Sequence, residues 1–328
     1  MDKNFSLWCD FIERGFLQEE FAEFLANGAF NGATSNPAIF ANALKNPIYQ
    51  EEIQRLKGRK AKEVYENLAI HDIKMAAKSL FVLWEKNQDN GYISLEIDPF
   101  LGDKVGESVD EGRRLYKSIN MPNVMIKVPA TSAGYEVMEA LMGDNIAVNA
   151  TLIFDKNQTK ECFEAFARGR KKGGRDDVRG VISVFVSRFD RAVDSMLGEE
   201  MQARLGILNA QECYEYVENN GGGYTRTLFA STGVKGEAMP KDYYIKELMH
   251  PHSINTAPLE SIKAYLEHGR NDGVGDIRLP ARDFRENLAK IKEELAQKGM
   301  VYEDLTKKLL SEGLNAFEVA FEMMLKSL

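Results

Sequence analysis

The sequence predicts a single (β/α)8 barrel, on three observations. Eight short runs rich in apolar and β-branched residues can be marked along it. Helical stretches separate these runs, and strands that alternate with helices build a parallel sheet. The chain has 328 residues, which suits eight such units closed on themselves, since barrels of this kind run from about 200 to over 400 residues. No Ser/Pro-rich linker, fixed-period repeat or low-complexity tract divides it, so residues 1–328 are read as one domain.

The elements follow in order. Phe5 to Cys9 is the first strand, and Glu19 to Leu25 carries Phe21, Phe24 and Leu25 on one helical face. Gly32 to Thr34 is the second strand, weak on propensity alone, and runs into the turn residues Ser35, Asn36 and Pro37. The interval from Pro37 to Tyr92 has room for two or three helices. One spans Asp72 to Lys86, with Ile73, Ala76, Ala77, Leu80 and Leu83 at helical spacing. Tyr92 to Ile97, Val124 to Val128 and Ile146 to Leu152 are the next strands, separated by helices over Val109 to Ile119 and Tyr135 to Met142. Asp155 with Gln158 resembles a capping box. The helix it opens ends in Arg168-Gly169-Arg170-Lys171-Lys172, cations where a helix C-terminus favours them. Val181 to Ser187, Thr225 to Ala230 and His252 to Asn255 complete the strands. From Phe284 to Leu328 the chain is helical and charged. Its stripe of Leu310, Leu314, Phe317, Phe321, Met324 and Leu328 fits a helix laid over the barrel better than a coiled-coil seam.

Composition narrows the function. Hydrophobic residues make up 44% and charged residues 28%, a globular profile. The net charge of −8 argues against nucleic-acid binding, though a local basic pocket could still hold a phosphate. Cys9, Cys162 and Cys213 are far apart and form no CxxC pair, which points to a reducing, cytoplasmic setting. Met1-Asp2-Lys3-Asn4 leads into a run broken by Asp10, unlike a signal peptide, and no apolar stretch is long enough for a membrane span.

In such barrels, reactive groups gather where strands end and loops begin. The predicted strand ends carry Asp10; Thr34, Ser35 and Asn36; Glu96; Lys127; Asn149 and Thr151; Ser183, Ser187 and Arg188; Ser231 and, slightly later, Lys235; and Asn255 and Thr256. Each has a bland alternative. Asp10 could cap a helix, Asn36-Pro37 is ordinary turn chemistry, and Glu96 could form a buried ion pair with Arg188 or Lys127. Asn149 and Thr151 could satisfy backbone groups. Together they ring one opening.

Lys127 is the sharpest of these. It interrupts Val124-Met125-Ile126-Lys127-Val128-Pro129, a run that reads as a buried strand. Its stem could pack while its head reaches water. Burial would instead disfavour the ammonium form, and a neutral amine attacks ketones to give a Schiff base. That chemistry needs an acid/base for carbinolamine dehydration and a base to take a hydroxyl proton as the adjacent C–C bond breaks. Asn and Ser side chains could hold sugar hydroxyls, and Arg188, Ser231 and Lys235 could bind a phosphate.

Two segments, Gly32-Ala33-Thr34-Ser35-Asn36-Pro37-Ala38-Ile39-Phe40 and Val124-Met125-Ile126-Lys127-Val128-Pro129-Ala130-Thr131-Ser132-Ala133-Gly134, resemble the two signatures of the transaldolase family. The resemblance continues through Glu96-Ile97-Asp98, Asn149 to Phe154, Ser183 to Arg188, Ala230 to Gly233, Asn255 to Pro258 and Glu312 to Phe317, nearly the whole chain in order. It implies a (β/α)8 TIM barrel with additional helices, including a C-terminal helix packed over the barrel. It implies Schiff-base transfer of a dihydroxyacetone unit from sedoheptulose 7-phosphate or fructose 6-phosphate to glyceraldehyde 3-phosphate or erythrose 4-phosphate. By the same resemblance Lys127 forms the covalent intermediate and Asp10 is the acid/base for C–C cleavage. Glu96 and Thr151 position a water for the imine steps. Asn36, Asn149 and Ser183 hold hydroxyls, and Arg188 and Ser231 bind phosphate with Phe185 nearby. Many members carry arginine where this chain has Gly233, and Lys235 is the candidate replacement. Longer members also have an extra helix before the first strand.

The expected partners are therefore small phosphorylated sugars, with no nucleic acid, membrane, metal or cofactor, in a monomer or homodimer. The competing readings are a fructose-6-phosphate aldolase-type lyase, which releases free dihydroxyacetone, and a catalytically silent sugar-phosphate-binding protein. Other signals are weak. His250-Pro251-His252 shows no third ligand at a typical spacing. The basic run Arg168 to Arg175 lacks interleaved aromatics. Gly221-Gly222-Gly223 lacks nucleotide-binding spacing, and Asn157-Gln158-Thr159 is a sequon by letters only.

Overall fold

A computed structural model describes residues 5–221, 223–237, 239–268 and 281–328. Met1 to Asn4 and Gly222 of the glycine triplet lie outside the described residues. Among the described residues seven parallel strands form the sheet: β1 (Ser6–Cys9), β2 (Ile93–Glu96), β3 (Val124–Pro129), β4 (Val148–Ile153), β5 (Gly180–Phe185), β6 (Thr225–Ala230) and β7 (Ile254–Ala257). Their order is β1-β7-β6-β5-β4-β3-β2. Ala33 joins the two edges through single parallel bridges to Cys9 and Ile93. Its amide donates to Tyr92 O at 2.8 Å, and the Thr34 amide donates to Cys9 O at 2.9 Å.

The strand expected over Gly32 to Thr34 is thus one bridging residue. Its length is limited from both sides. A Cβ on Gly32 would lie 2.4 Å from the Trp8 indole nitrogen, so the segment presses on the barrel interior with no side chain of its own there. Three residues past Ala33, Asn36 already caps a helix, its Oδ1 accepting from the Ile39 amide at 3.0 Å, with Pro37 in the first turn. The last strand lies two residues later than expected, at Ile254–Ala257 instead of His252 to Asn255.

Helices fill the connections. Between β1 and Ala33 lie α1 (Arg14–Gln18) and α2 (Glu20–Ala26). Between Ala33 and β2 lie α3 (Pro37–Ala43), α4 (Gln50–Arg55) and the 26-residue α5 (Ala61–Lys86), so the predicted helix at Asp72 begins eleven residues earlier. Then follow α6 (Val105–Ile119), α7 (Ser132–Gly143), α8 (Lys156–Gly173), α9 (Ser187–Val193), α10 (Leu205–Asn219), α11 (Tyr243–Glu247) and α12 (Leu259–Glu267). The cap of α8 forms as expected at one end, with Asp155 Oδ1 accepting from the Gln158 amide at 2.8 Å. Gln158 returns to the Phe154 amide, one residue before the cap.

Side-chain alternation splits the barrel wall into two faces. Leu7, Ile93, Leu95, Ile126, Val128, Val148, Ile182 and Phe229 point outward into the apolar shell beneath the helices. Trp8, Tyr92, Met125, Ala147, Val181, Leu228 and Ile254 pack inside as the apolar lower layer. Arg226 closes the floor, donating to His252 O, Asp89 O, Ser253 O and Ser6 Oγ. Above this apolar layer the inward positions become polar again.

The tail forms α13 (Ala281–Gln297) and α14 (Tyr302–Lys326). α14 packs on α3 and reaches β4, as expected of a helix over the barrel. Its buried line differs from the predicted stripe. Leu305, Leu309, Gly313, Phe321 and Met324 are buried, while Leu310, Leu314, Phe317 and Leu328 are half-buried. The helix changes partners along its length, from the inner cluster near Leu309 to Tyr65, whose ring meets Phe321 at 5.3 Å. One face of a straight helix cannot serve both partners.

Candidate active site

Lys127 is 6% exposed. Its register partner across the β2–β3 ladder is Glu96, and the two side chains meet with Nζ 2.7 Å from Oε1. Nζ also donates to the Ser35 carbonyl at 2.7 Å. Ser35 Oγ lies 2.7 Å from Ser94 O and 3.1 Å from Glu96 Oε2, so it braces the carboxylate from the far side. Of the two partners the sequence left open for a buried Glu96 ion pair, Arg188 and Lys127, the partner is Lys127. Burial pushes the Glu96 carboxyl above its ordinary value, and the positive Lys127 opposes that rise.

Asp10 follows β1 and is the second acid facing this amine. Burial again pushes its carboxyl up, opposed by Lys127 and by the hydrogen bond from Thr34. Thr34 Oγ1 donates to Asp10 Oδ1 at 2.6 Å and lies 2.6 Å from Thr256 Oγ1. The loop after Asp10 is anchored from outside the barrel. Arg14 Nε donates to Asp72 Oδ1 at 2.8 Å, the Arg14 amide donates to Tyr49 OH at 2.8 Å, and that hydroxyl donates to Asp72 Oδ2 at 2.7 Å. These hydrogen bonds fix the geometry of the ion pair, whatever its net stabilisation.

Below Lys127 a polar chain crosses three strands. Asn149 Nδ2 donates to Ser94 Oγ at 2.9 Å, and Ser183 Oγ donates to Asn149 Oδ1 at 2.6 Å. Asn149 and Ser183 thus hold each other in this state. Thr151, one inward position above Asn149, is buried, and its Oγ1 has no hydrogen-bond partner among the described residues. Asn36 sits half-buried with its Oδ1 occupied as the α3 cap.

Arg188 stands at the start of α9, its guanidinium carbon 5.0 Å from the centre of the Phe185 ring. Burial and the nearby Arg191 lower its pKa, and Glu312 opposes this. Ser231 follows β6 in a left-handed conformation (φ 55°) with its hydroxyl 3.1 Å from that of Ser187. Lys235 is exposed, and among the described residues no hydrogen bond or ion pair joins it to these groups. A side chain at Gly233 would begin 2.9 Å from the Pro258 ring, so an arginine there would displace it.

Asp190, one turn into α9 from Ser187, ties this segment down. It accepts from the Gly206 amide and Tyr244 OH, both at 2.8 Å. Burial pushes its pKa up to about 7. A buried acid with a raised pKa keeps its proton in the native state after the unfolded chain has lost it. Stability should therefore fall as pH rises from the ordinary carboxylate value toward 7, by on the order of a few kcal/mol. Asp190→Asn removes the ionisation and should flatten the decline of the urea midpoint between about pH 4.5 and pH 7.5. An unchanged pH profile would assign the decline to other groups.

The alternation of inward positions brings Asp10, Glu96, Lys127, Asn149, Thr151, Ser183 and Phe185 to one end of the barrel. Asn36, Arg188 and Ser231 stand on the following loops and turns, and Lys235 is exposed. Ser35, Ser94, Thr34 and Thr256 complete the polar set. Thr256 and Asn255 both stood at the last strand end, yet Asn255 turns outward and donates to Tyr244 O at 3.0 Å. Counting inward parity from Trp8 and Lys127 would have separated them.

The signals set aside have ordinary partners. His252 Nδ1 lies 2.9 Å from Glu218 Oε1, and His250 stacks on Tyr214. Among the described residues no group of His, Cys, Asp and Glu could hold a metal ion. Arg168 and Lys172 both pair with Glu139, and Arg175 pairs with Asp177. No helix among the described residues is long and apolar enough to cross a membrane.

Residues 7–328 match the model of the transaldolase/fructose-6-phosphate aldolase family. A transaldolase of Helicobacter pylori strain P12 is 47% identical over 326 residues, covering 99% of each chain. The transaldolase of strain ATCC 700392 / 26695 is 48% identical over the same length and coverage. One from Campylobacter jejuni subsp. jejuni is 47% identical, covering 99% of this chain and 100% of its own. A barrel with a lysine and two carboxyls at its strand ends, and likeness of this extent, converge on one conclusion: the chain belongs to the transaldolase/fructose-6-phosphate aldolase family.

Proposed function

We propose that the protein is a transaldolase that moves a dihydroxyacetone unit from a ketose phosphate, sedoheptulose 7-phosphate or fructose 6-phosphate, to an aldose phosphate, glyceraldehyde 3-phosphate or erythrose 4-phosphate. The observation that carries this reading is the buried Lys127 amine, 2.7 Å from Glu96 and facing Asp10. Lys127 attacks the ketone carbon. Glu96 and Thr151 handle the proton and water of carbinolamine dehydration. Asp10 takes the proton from the C4 hydroxyl, the C3–C4 bond breaks, and its electron pair enters the iminium to give an enamine. The departing aldose phosphate gives way to the acceptor, the bond re-forms and Asp10 returns its proton. Hydrolysis then frees Lys127.

Asn36, Asn149 and Ser183 hold the hydroxyls of the unit being moved. Asn149 and Ser183 exchange part of their mutual hydrogen bonding for sugar contacts. Arg188 and Ser231, beside Phe185, take the phosphate. Lys235, exposed after β6, is the candidate replacement for the arginine that many members carry where this chain has Gly233. No cofactor enters this scheme, and the whole of residues 1–328 is read as one cytoplasmic domain acting as a monomer or homodimer.

The lyase reading shares the imine and differs in what leaves. Near-complete coverage of relatives named transaldolase favours transfer. Borohydride reduction with fructose 6-phosphate, followed by peptide mapping, tests the covalent step. The label is expected on the peptide containing Lys127, and an unlabelled Lys127 would reject the reading. Turnover that depends on erythrose 4-phosphate separates transfer from release of free dihydroxyacetone.

A further inference from the structure

We propose that Gly313, in the interior of α14, is a positioning residue for Arg188, and that this turn of α14 is a wall of the anion-binding end of the site. A Cβ at Gly313 would stand 3.0 Å from Arg188 Nη1 and 2.9 Å from Leu152 Cδ2. The helix therefore passes over the guanidinium so closely that a side chain at position 313 would require the guanidinium or Leu152 to shift. Glycine is a poor choice for a helix interior, where alanine is among the best formers. Local helix stability does not explain it.

The other side of the guanidinium is closed by the Phe185 ring, 5.0 Å from its carbon. Arg188 has no hydrogen bond or ion pair among the described residues, so packing alone orients it. A cation held this way presents its donors to an anion without first giving up a carboxylate, and little side-chain freedom remains to be lost on binding. Leu152 cannot easily yield to a new methyl group. It is fully buried and sits in a left-handed conformation (φ 59°) where the β4 register shifts. The guanidinium, half-buried and untied, is the partner that would move.

This inference rests on the proposed sugar-phosphate reading, and its test distinguishes the two. In the natural protein, dihydroxyacetone and fructose 6-phosphate should both give borohydride trapping at Lys127; failure there rejects the reading itself. In Gly313→Ala, KM for fructose 6-phosphate should rise by about tenfold with kcat within about threefold, because a phosphate contact is weakened while the chemistry is untouched. Trapping by dihydroxyacetone, which has no phosphate, should stay unchanged. In an Arg188→Ala background, adding Gly313→Ala should have no further effect on KM, as expected of residues acting through one contact. An unchanged KM in Gly313→Ala, or an equal loss with dihydroxyacetone, overturns the inference. If the variant does not fold, amide exchange of the natural protein decides it. Fructose 6-phosphate should slow exchange over residues 309–317 and dihydroxyacetone should not; equal protection by both also overturns it.

Discussion

Lys127→Ala is expected to lower kcat/KM by about 10⁴-fold or more while leaving the fold intact. Without the amine, no imine forms, and the electrons of the breaking C–C bond have only an unassisted ketone to enter. Asp10 and Glu96 can still move protons, but acid/base help alone contributes about 10²- to 10⁴-fold. The fold should survive because the carboxylate left behind has an alternative to a stranded charge. Burial already pushes the Glu96 carboxyl up with Lys127 opposing, so removing the lysine drives it further toward the neutral acid. That acid would keep its proton natively above the ordinary carboxylate range. The variant should therefore lose stability more steeply than the natural protein as pH rises from about 4 to 7. Lys127→Met, which fills the space, should show the same loss of activity with a smaller loss of stability. Activity that persists in both variants, measured beside their urea midpoints, would remove the covalent route.

The barrel was legible because alternation and helical period leave strong marks. The long β-branched run around Lys127 and the helical spacing from Ile73 to Leu83 both gave the correct element. Elements fixed by a distant partner were not. The residues around Ala33 look like a short strand, but their extent depends on Trp8 filling the space beside Gly32. The face of α14 turns on what lies beneath each of its turns, and the composition of the helix does not contain that. At the site, side-chain placement was legible wherever it sat on an inward strand position, as at Glu96 and Thr151. The Ser35 carbonyl that accepts from Lys127 could not be read, because every residue carries such a carbonyl. Nor could the exposure of Lys235, since a lysine after a strand looks the same whether its loop folds inward or outward.

Asp10→Asn is expected to slow C–C cleavage by about 10²- to 10⁴-fold while imine formation stays within about tenfold, because only cleavage requires a base at the C4 hydroxyl. The substitution is suited to isolating that role. An amide oxygen can still accept the Thr34 Oγ1 hydrogen bond that holds Asp10 Oδ1 at 2.6 Å, and Thr34 keeps its contact with Thr256. The Arg14–Asp72–Tyr49 clamp beyond the loop is untouched. Geometry should therefore be retained and proton transfer lost. The pH dependence gives a second signature. Burial raises the Asp10 carboxyl, so the limb on which cleavage gains its base should lie at higher pH than an ordinary aspartate would give. That limb should disappear in the variant. Single-turnover release of glyceraldehyde 3-phosphate from fructose 6-phosphate reports cleavage, and the rate of borohydride trapping reports the imine. If the two rates fall together, Asp10 acts before the bond breaks, and cleavage must draw on another base, for which Glu96 is the remaining carboxyl beside Lys127.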